Sequence, residues 1–441
     1  MSAQEGAQTQ VRLHKFLRRQ PALTLLGHGA ILFAGVRTRV TGQLSLITAL
    51  MRRVYFDHNA TTPVDREVLE AMLPYFSEEY GNASSIHSVG QSARKAVEQA
   101  REQVAALIGA RATEITFTSG GTESDNLAIF GTVAADERPR KHVITTQIEH
   151  HAVLNACQAL QAQGVEVTFL PVSADGVVEP DAVRRVLRPE TVLISVMHAN
   201  NELGTVQPLE EIGRIAAEAD VYFHTDAVQS AGKLPIDVKH LGADLLAISA
   251  HKLYGPKGVG ALYAGGATRL KPLLYGGHHE RDRRPGTENV AGIVGLGKAA
   301  EVARKKLETE GTRVAALRDR LEQGLLAAIP QSRVNGGRAR RTPNTTNITF
   351  SFIEGEALVI ALDLKGLQCS TGAACSSGAV EPSHVLMAIG LEPAEARASL
   401  RFSLGRANTE DDVKFALSMV PGVVEHLRKL SPLWKQPVAA Q

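Results

Sequence analysis

The chain contains 441 residues, of which 44% are hydrophobic and 21% are charged, and its formal net charge at pH 7 is +2. This length favours two domains over one, and the nearly neutral charge excludes the strong positive field typical of proteins that bind nucleic acid or anionic membranes. A small molecule is therefore the expected ligand.

Residues 1–53 differ in composition from the rest of the chain. They contain several basic residues and a single acid, Glu5, as in an organellar transit peptide. The alternative, which we favour, is that translation starts near Met51, and the protein is then expected in the cytoplasm instead of an organellar matrix. The stretch Leu23–Val40 is too polar for a transmembrane helix. In both cases we expect residues 1–53 to lie outside the fold.

From Val54 onward, short apolar segments alternate with amphipathic stretches, which is typical of an α/β fold. Their nearly continuous apolar character predicts strands that are buried on both faces of a large domain, residues 54–310. Polar residues at the ends of such strands should meet at one edge of the sheet. The predicted strands are Glu114–Thr118, His142–Thr145, Glu166–Leu170, Val192–Met197, Val221–Thr225, Leu245–Ser249 and Gly260–Tyr263.

A long helix, from about Ile293 to Ile329, is predicted to lead away from this sheet. After it, Asn344–Phe352 and Arg401–Ser403 are predicted strands, and Gly355–Leu364 is a predicted helix. We expect these elements to form a smaller α+β domain, residues 311–435, which the first residues after Val54 could join.

A glycine-rich turn, Thr118 to Asn126, follows the first predicted strand of the sheet and precedes a helix. The exposed N–H groups of such a turn can bind a phosphate, and Thr122 adds a hydroxyl. The alternative is an ordinary capped turn. The segment has neither a dinucleotide fingerprint nor a Walker loop, which makes NAD or ATP a less suitable ligand.

Three other strand ends contain residues that suit a pyridoxal phosphate site. Asp226 could hold a pyridine nitrogen protonated, with Gln229 near the ring hydroxyl, although an Asp at this position is often a helix cap. Lys252 could form a Schiff base, and is a better candidate than Lys257, which lies in a Gly- and Pro-rich loop. A histidine could stack on the ring, and the pattern alone does not choose between His150 and His151.

Only three cysteines occur, Cys157, Cys369 and Cys375, which is too few for a disulfide scaffold and is typical of a reducing compartment. Cys375 lies in a loop rich in Gly, Ser and Ala, which suits an exposed nucleophile. The alternatives are an incidental surface thiol, or a disulfide or metal pair with Cys369. No second Cys/His cluster with zinc spacing accompanies them, so we expect no metal site.

The chain resembles the cysteine desulfurases of the NifS and IscS type, which belong to the fold type I pyridoxal phosphate enzymes. The resemblance runs from about Tyr55 to Leu433 and implies a mixed, mostly parallel seven-stranded sheet. It rests on these motifs: Asp57-His58-Asn59-Ala60-Thr61-Thr62-Pro63, Gly121-Thr122-Glu123-Ser124-Asp125-Asn126, Glu149-His150, His198-Ala199-Asn200-Asn201-Glu202, Asp226 with Gln229, Ser249-Ala250-His251-Lys252, Arg284-Pro285-Gly286-Thr287 and Arg401-Phe402-Ser403-Leu404-Gly405. His151, where many relatives have Lys or Arg, and residues 1–53 depart from the family pattern.

The resemblance implies a role for each matching residue. Lys252 would link to the cofactor, and Cys375 would accept the sulfur of L-cysteine. Arg401 would bind the substrate carboxylate, with Asn201 as a second substrate-binding residue. The remaining roles concern the cofactor: His150 on the ring, Asp226 on its nitrogen, Gln229 and Asn201 near its hydroxyl, and Gly121, Thr122, Ser249, His251 and, from a second subunit, Thr287 on its phosphate.

The resemblance also implies partners and products. The enzyme would act as a homodimer that converts L-cysteine to L-alanine and holds the sulfur as a persulfide on Cys375. The sulfur would pass to an acceptor such as an iron–sulfur scaffold protein or to tRNA thiolation, and Cys375 could transiently ligate a cluster. An aminotransferase or a selenocysteine lyase would not require Cys375. A catalytically silent docking platform would have no reason to retain all four of Lys252, Asp226, His150 and Cys375.

Overall fold

The computed structural model describes residues 52–371, 381–432 and 434, and from Arg53 onward they belong to one compact unit. Helices and strands alternate along most of this part of the chain. The strands are β1 Val54–Tyr55, β2 Ile115–Thr118, β3 His142–Thr146, β4 Glu166–Leu170, β5 Thr191–Ser195, β6 Tyr222–Asp226, β7 Leu245–Ser249, β8 Gly260–Ala264, β9 Ser332–Asn335, β10 Thr345–Phe350, β11 Leu367–Gln368 and β12 Ser399–Ser403.

The described helices pack around these strands. They are α1 Arg66–Met72, α2 Pro74–Ser77, α3 Ser88–Ile108, α4 Gly121–Ala135, α5 His151–Ala162, α6 Pro180–Val186, α7 Leu209–Glu218, α8 Val290–Ala328, α9 Gly355–Asp363, α10 His384–Ala388, α11 Pro393–Arg397 and α12 Glu410–Leu430, with short 3-10 turns at Ala112–Glu114, Ala250–Lys252 and His279–Asp282. None of the described helices combines the length and the apolar content needed to cross a bilayer.

Seven strands form the main sheet in the order β2-β8-β7-β6-β5-β3-β4. Strand β8 runs antiparallel to both of its neighbours, and the other pairs are parallel. The predicted mixed, mostly parallel seven-stranded sheet is therefore confirmed. The inner strands are buried on both faces. The prediction of full burial is wrong for β4, whose side chains are partly exposed because it lies at the edge of the sheet.

A second core surrounds the antiparallel sheet β12-β10-β9 and includes Phe56, Phe350 and Phe402. Strand β1 pairs with β11 beside it, so the first residues after Arg53 pack with elements from the end of the chain. The long helix α8 was predicted to within three residues at each end. The predicted domain boundary at residues 310 and 311 lies inside this helix, and the division into two domains stays a prediction.

Candidate active site

The turn between β2 and α4 lies against the start of β8. A Cβ atom added to Gly260 would lie 2.6 Å from the Cα atom of Gly120, so glycine is required for this approach. Helix α4 begins at Gly121 without a capping side chain. Its first turn therefore presents backbone N–H groups that suit a phosphate. Ser249, at the end of β7, is buried beside this turn, and Thr122 is exposed there.

Two charged side chains flank the turn. The carboxylate of Glu123 accepts hydrogen bonds from the backbone N–H of Ser119 and from Arg284 Nε, at 2.7 and 2.9 Å. Burial opposes ionisation, but these bonds outweigh it and hold the pKa of Glu123 below its usual value. Thr287 is exposed three residues after Arg284. Its predicted contact with the phosphate of a second subunit stays a prediction.

Asp226 lies at the end of β6 with its side chain buried. Burial raises its pKa, while His150, the backbone N–H of Val228 and Lys252 oppose this rise. Within the described part of the chain, no cation lies within ion-pair distance of this carboxylate. A protonated pyridine nitrogen would supply the missing positive charge, so the residues present fit pyridoxal phosphate.

His150 precedes α5 and is its N-cap. Its Nδ1 accepts a hydrogen bond from the backbone N–H of Ala152 at 3.1 Å, which leaves the proton of the neutral ring on Nε2. Burial lowers the pKa of His150, so the ring is neutral at pH 7. The charges of Asp226 and Lys252 act on the pKa of His150, so this ring lies near both groups. The ring of His151 instead faces that of His384, with the ring centroids 4.8 Å apart.

Lys252 ends the 3-10 turn that follows β7. Its Nζ donates hydrogen bonds to the carbonyl oxygens of Asn59 and Ala60, at 2.6 and 2.7 Å. His251 lies beside it, with Nδ1 3.1 Å from Thr61 Oγ1, and burial lowers the pKa of His251 to about 4. Lys257 is exposed, as expected of its Gly- and Pro-rich loop.

Arg401 extends from β12 towards the same place. Its Nη2 donates to Asp57 Oδ1 at 2.7 Å, and its Nη1 donates to the carbonyl oxygen of Asn201 at 3.0 Å. Its Nε is buried without a hydrogen-bond partner among the described residues. The two bonds use two of the five N–H donors of the guanidinium, which leaves donors for a substrate carboxylate, and Asp57 fixes its orientation.

Asn59 and Lys233 belong to the site, although no sequence pattern predicted a role for either residue. Asn59 receives the hydrogen bonds of Lys252 and of Gln229, whose Nε2 donates to the Asn59 carbonyl oxygen at 2.9 Å. Lys233 Nζ donates to Gln229 Oε1 at 3.0 Å. The motif that contains Asn59 supported the resemblance, and this was the one signal available for it. Lys233, four residues after Gln229 in a turn, had none.

Cys375 lies outside the described residues, so its position relative to Lys252 stays a prediction. The other two cysteines, Cys157 and Cys369, are buried and reduced. Burial raises the pKa of Cys157 to about 12, and that of Cys369 even further. Both are thiols at neutral pH and are poor nucleophiles.

Residues 54–415 match the family described as aminotransferase class-V. The chain is 53% identical over 382 residues to a cysteine desulfurase IscS of Methanosarcina thermophila, which covers 87% of this chain and 94% of the relative. It is 50% identical over 389 residues to a cysteine desulfurase IscS of Dictyoglomus turgidum, and the alignment covers 88% of this chain and 99% of the relative.

Solved structures of related proteins also superpose on this chain. A NifS-like protein superposes with a TM-score of 0.80 at 38% identity, over 85% of this chain and all of that one. A structure of SspA in complex with cysteine superposes with a TM-score of 0.71 at 41% identity, over 79% of this chain and 98% of the other.

Proposed function

Because the chain belongs to the aminotransferase class-V family, and within it to the cysteine desulfurases of the NifS and IscS type, we propose that it converts L-cysteine to L-alanine and holds the sulfur as a persulfide on Cys375. The observation that supports this most strongly is that Asp226, His150 and Lys252, which follow or end the strands β6, β3 and β7 of the same sheet, meet at one edge of it. The structure of a relative in complex with cysteine supports the substrate.

Pyridoxal phosphate, when bound, would supply an aldehyde that takes up an amine and a protonated ring that accepts electrons from the substrate Cα. Asp226 would hold the ring nitrogen, Gln229 and Asn201 the ring hydroxyl, and His150 the ring face. The phosphate would be held by Gly121, Thr122, Ser249 and His251 and, from the second subunit of a homodimer, by Thr287.

Three side chains of this protein would then act on the substrate, each in a different role. Arg401 would bind its carboxylate through charge-assisted hydrogen bonds. The amine of Lys252, released from the aldehyde, would take the proton from Cα. The neutral ring of His150 has its proton on Nε2 and could move it to or from the substrate.

The Cys375 thiolate would attack the substrate sulfur. A sulfur–sulfur bond forms while the carbon–sulfur bond breaks, and its electron pair goes to the substrate carbon, which takes up protons to become alanine. The persulfide would pass its outer sulfur to an acceptor such as an iron–sulfur scaffold protein, or towards tRNA thiolation. Transient cluster ligation by Cys375 and a cytoplasmic location belong to the same proposal.

Cys375→Ser is the test. Because Cys375 is not one of the residues expected to hold the cofactor, the variant should still take up pyridoxal phosphate and turn yellow. It should release almost no alanine from L-cysteine, because a hydroxyl is a poor sulfur acceptor. Cys369→Ser is the matched control and should stay active, since that thiol is buried and protonated. Turnover of cysteine by Cys375→Ser at the wild-type rate would overturn the proposal in favour of an aminotransferase or lyase.

A further inference from the structure

Lys233 is a partly buried cation beside the proposed cofactor site, and it has no acidic partner among the residues that the structure describes. Its Nζ donates to Gln229 Oε1 at 3.0 Å and to Asn59 Oδ1 at 3.4 Å. Both acceptors are neutral amides, and within the described residues no carboxylate forms an ion pair with it. An ammonium removed from water without a counter-ion costs free energy. An anion bound near Gln229 would reduce this cost.

Lys233 also determines which way the Gln229 amide points. A lysine ammonium only donates hydrogen bonds, so the atom that faces it must be Oε1 and not Nε2. The Nε2 group is thereby turned to the other side, where one of its two N–H bonds reaches the carbonyl oxygen of Asn59 at 2.9 Å. The second N–H remains for an acceptor, and an anionic ring oxygen is a strong one.

We propose that Lys233 is a positioning residue which, through Gln229, stabilises negative charge on the ring oxygen of bound pyridoxal phosphate. It would thereby lower the pH at which the bound cofactor loses the proton shared by that oxygen and the nitrogen from Lys252. The inference rests on the proposed function, because it requires the cofactor to bind with its ring hydroxyl beside Gln229.

The surrounding charges are consistent with this role. Burial, followed by the positive charges of Lys252 and Arg401, lowers the pKa of Lys233 to about 7. Arg401 is offset by Asp57, and Lys252 would lose its ammonium once linked to the cofactor. An anionic ring oxygen and a phosphate would raise the pKa of Lys233 again, and the charged form would prevail at neutral pH. Other titratable groups lie near Lys233 or line the cavity beside it, namely His58, His251, Tyr254, Glu310 and Arg406. Glu310 and Arg406 form an ion pair with each other.

The positive charge of Lys233 determines in which direction the pH of cofactor deprotonation should shift. Loss of the shared proton makes the cofactor more negative, and a nearby cation favours the more negative form. Lys233→Met removes the charge and retains the length of the side chain. In this variant the proton should be lost at a higher pH, by roughly one pH unit. Folding should not suffer, because a buried charge is replaced by an apolar group.

The experiment is a pH titration of the visible absorption of the holoenzyme, which reports the protonation of the bound cofactor without turnover. The midpoint should rise in Lys233→Met and in a second neutral variant, Lys233→Gln, and should return towards the wild-type value in Lys233→Arg. Lys239→Met is the matched control: Lys239 is exposed on the same segment, and its replacement should not move the midpoint.

Two results would contradict the inference in distinguishable ways. A wild-type midpoint in either folded neutral variant, Lys233→Met or Lys233→Gln, would overturn the role of Lys233 and leave the proposed function intact. A wild-type protein that never acquires the visible absorption of bound pyridoxal phosphate would overturn the proposed function, and this inference with it.

Discussion

At the scale of single residues, Asn59 connects the candidate site to the rest of the structure. Its side-chain amide donates to the carbonyl oxygen of Asn201 and accepts from Asn344, while its backbone N–H donates to Ser403 Oγ. Its carbonyl oxygen receives Lys252. Asn59 therefore fixes the position of the Lys252 amine relative to Ser403 and Asn344, which are distant from both residues in the sequence.

The choice between two lysines is testable at this scale. Lys252 points into the site towards Asn59, whereas Lys257 is exposed in its loop. We expect Lys252→Ala to abolish the covalent link to pyridoxal phosphate and to reduce activity by several orders of magnitude. Lys257→Ala should retain both. Reduction with borohydride followed by mass spectrometry of the peptides shows which lysine has gained the cofactor, and a labelled Lys257 would contradict the assignment.

Sequence patterns predicted the residues that follow strands and missed those that depend on distant contacts. Asp226 and Lys252 were predictable because strand ends in a parallel sheet converge. Lys233 and Asn59 lie 174 positions apart and meet only in the folded chain. Asp57 belongs to one of the motifs that support the resemblance, but its ion pair with Arg401 spans 344 positions and no local pattern encodes it.

At the scale of elements, periodicity predicted all seven strands of the main sheet to within about two residues. It missed β1 and β11, which have two residues each and are too short for an alternating pattern. It also missed β9, which is only partly buried. Short or exposed strands gain their stability from pairing with neighbours, and this pairing is not visible in one segment of sequence.

Helix α8 offers a comparison of two glycines in one element. A Cβ atom at Gly297 would lie 2.5 Å from the Cα atom of Ala100 in α3, whereas a Cβ at Gly311 would meet nothing within 4 Å. Gly297→Ala should therefore lower the free energy of unfolding by roughly 1–3 kcal/mol, because two helices must move apart. Gly311→Ala should raise it by about 0.5–1 kcal/mol, because alanine favours a helix over glycine.

Urea unfolding of the two variants beside the wild type measures both effects. The same substitution in the same helix should change the stability in opposite directions. Equal shifts for both variants would mean that the contact between α8 and α3 does not require glycine.

At the scale of the whole molecule, buried histidines predict how stability depends on pH. Burial lowers the pKa of His224 to about 3, and burial together with Arg340 lowers that of His198 to about 4. The unfolded chain has histidine pKa values near 6.5. Between about pH 4 and 6.5 the unfolded state therefore binds protons that the native state does not, and the free energy of unfolding should fall as the pH falls.

Unfolding free energies of the holoenzyme at a series of pH values test this prediction. Each fully buried histidine should contribute a loss of roughly 3 kcal/mol between pH 7 and pH 4. His224→Gln cannot take up the proton and can still bond Ser195, which lies 2.8 Å from His224 Nδ1. Its stability should change less over this range than that of the wild type. An equally steep dependence in the variant would show that His224 titrates normally in the fold.

The last prediction concerns residues 1–50. The family match begins at residue 54, and two relatives align over nearly their whole length with 87% and 88% of this chain. Deletion of residues 1–50 should therefore leave the yield, the thermal midpoint and the desulfurase activity of protein from a bacterial host unchanged.

Deletion of residues 1–57 is the control. It removes β1, which pairs with β11, and Asp57, whose carboxylate orients Arg401 at 2.7 Å. The longer deletion should lower both stability and activity, because the buried guanidinium of Arg401 would lose its carboxylate partner. If the shorter deletion alone abolished soluble, active enzyme, residues 1–50 would be part of the working protein.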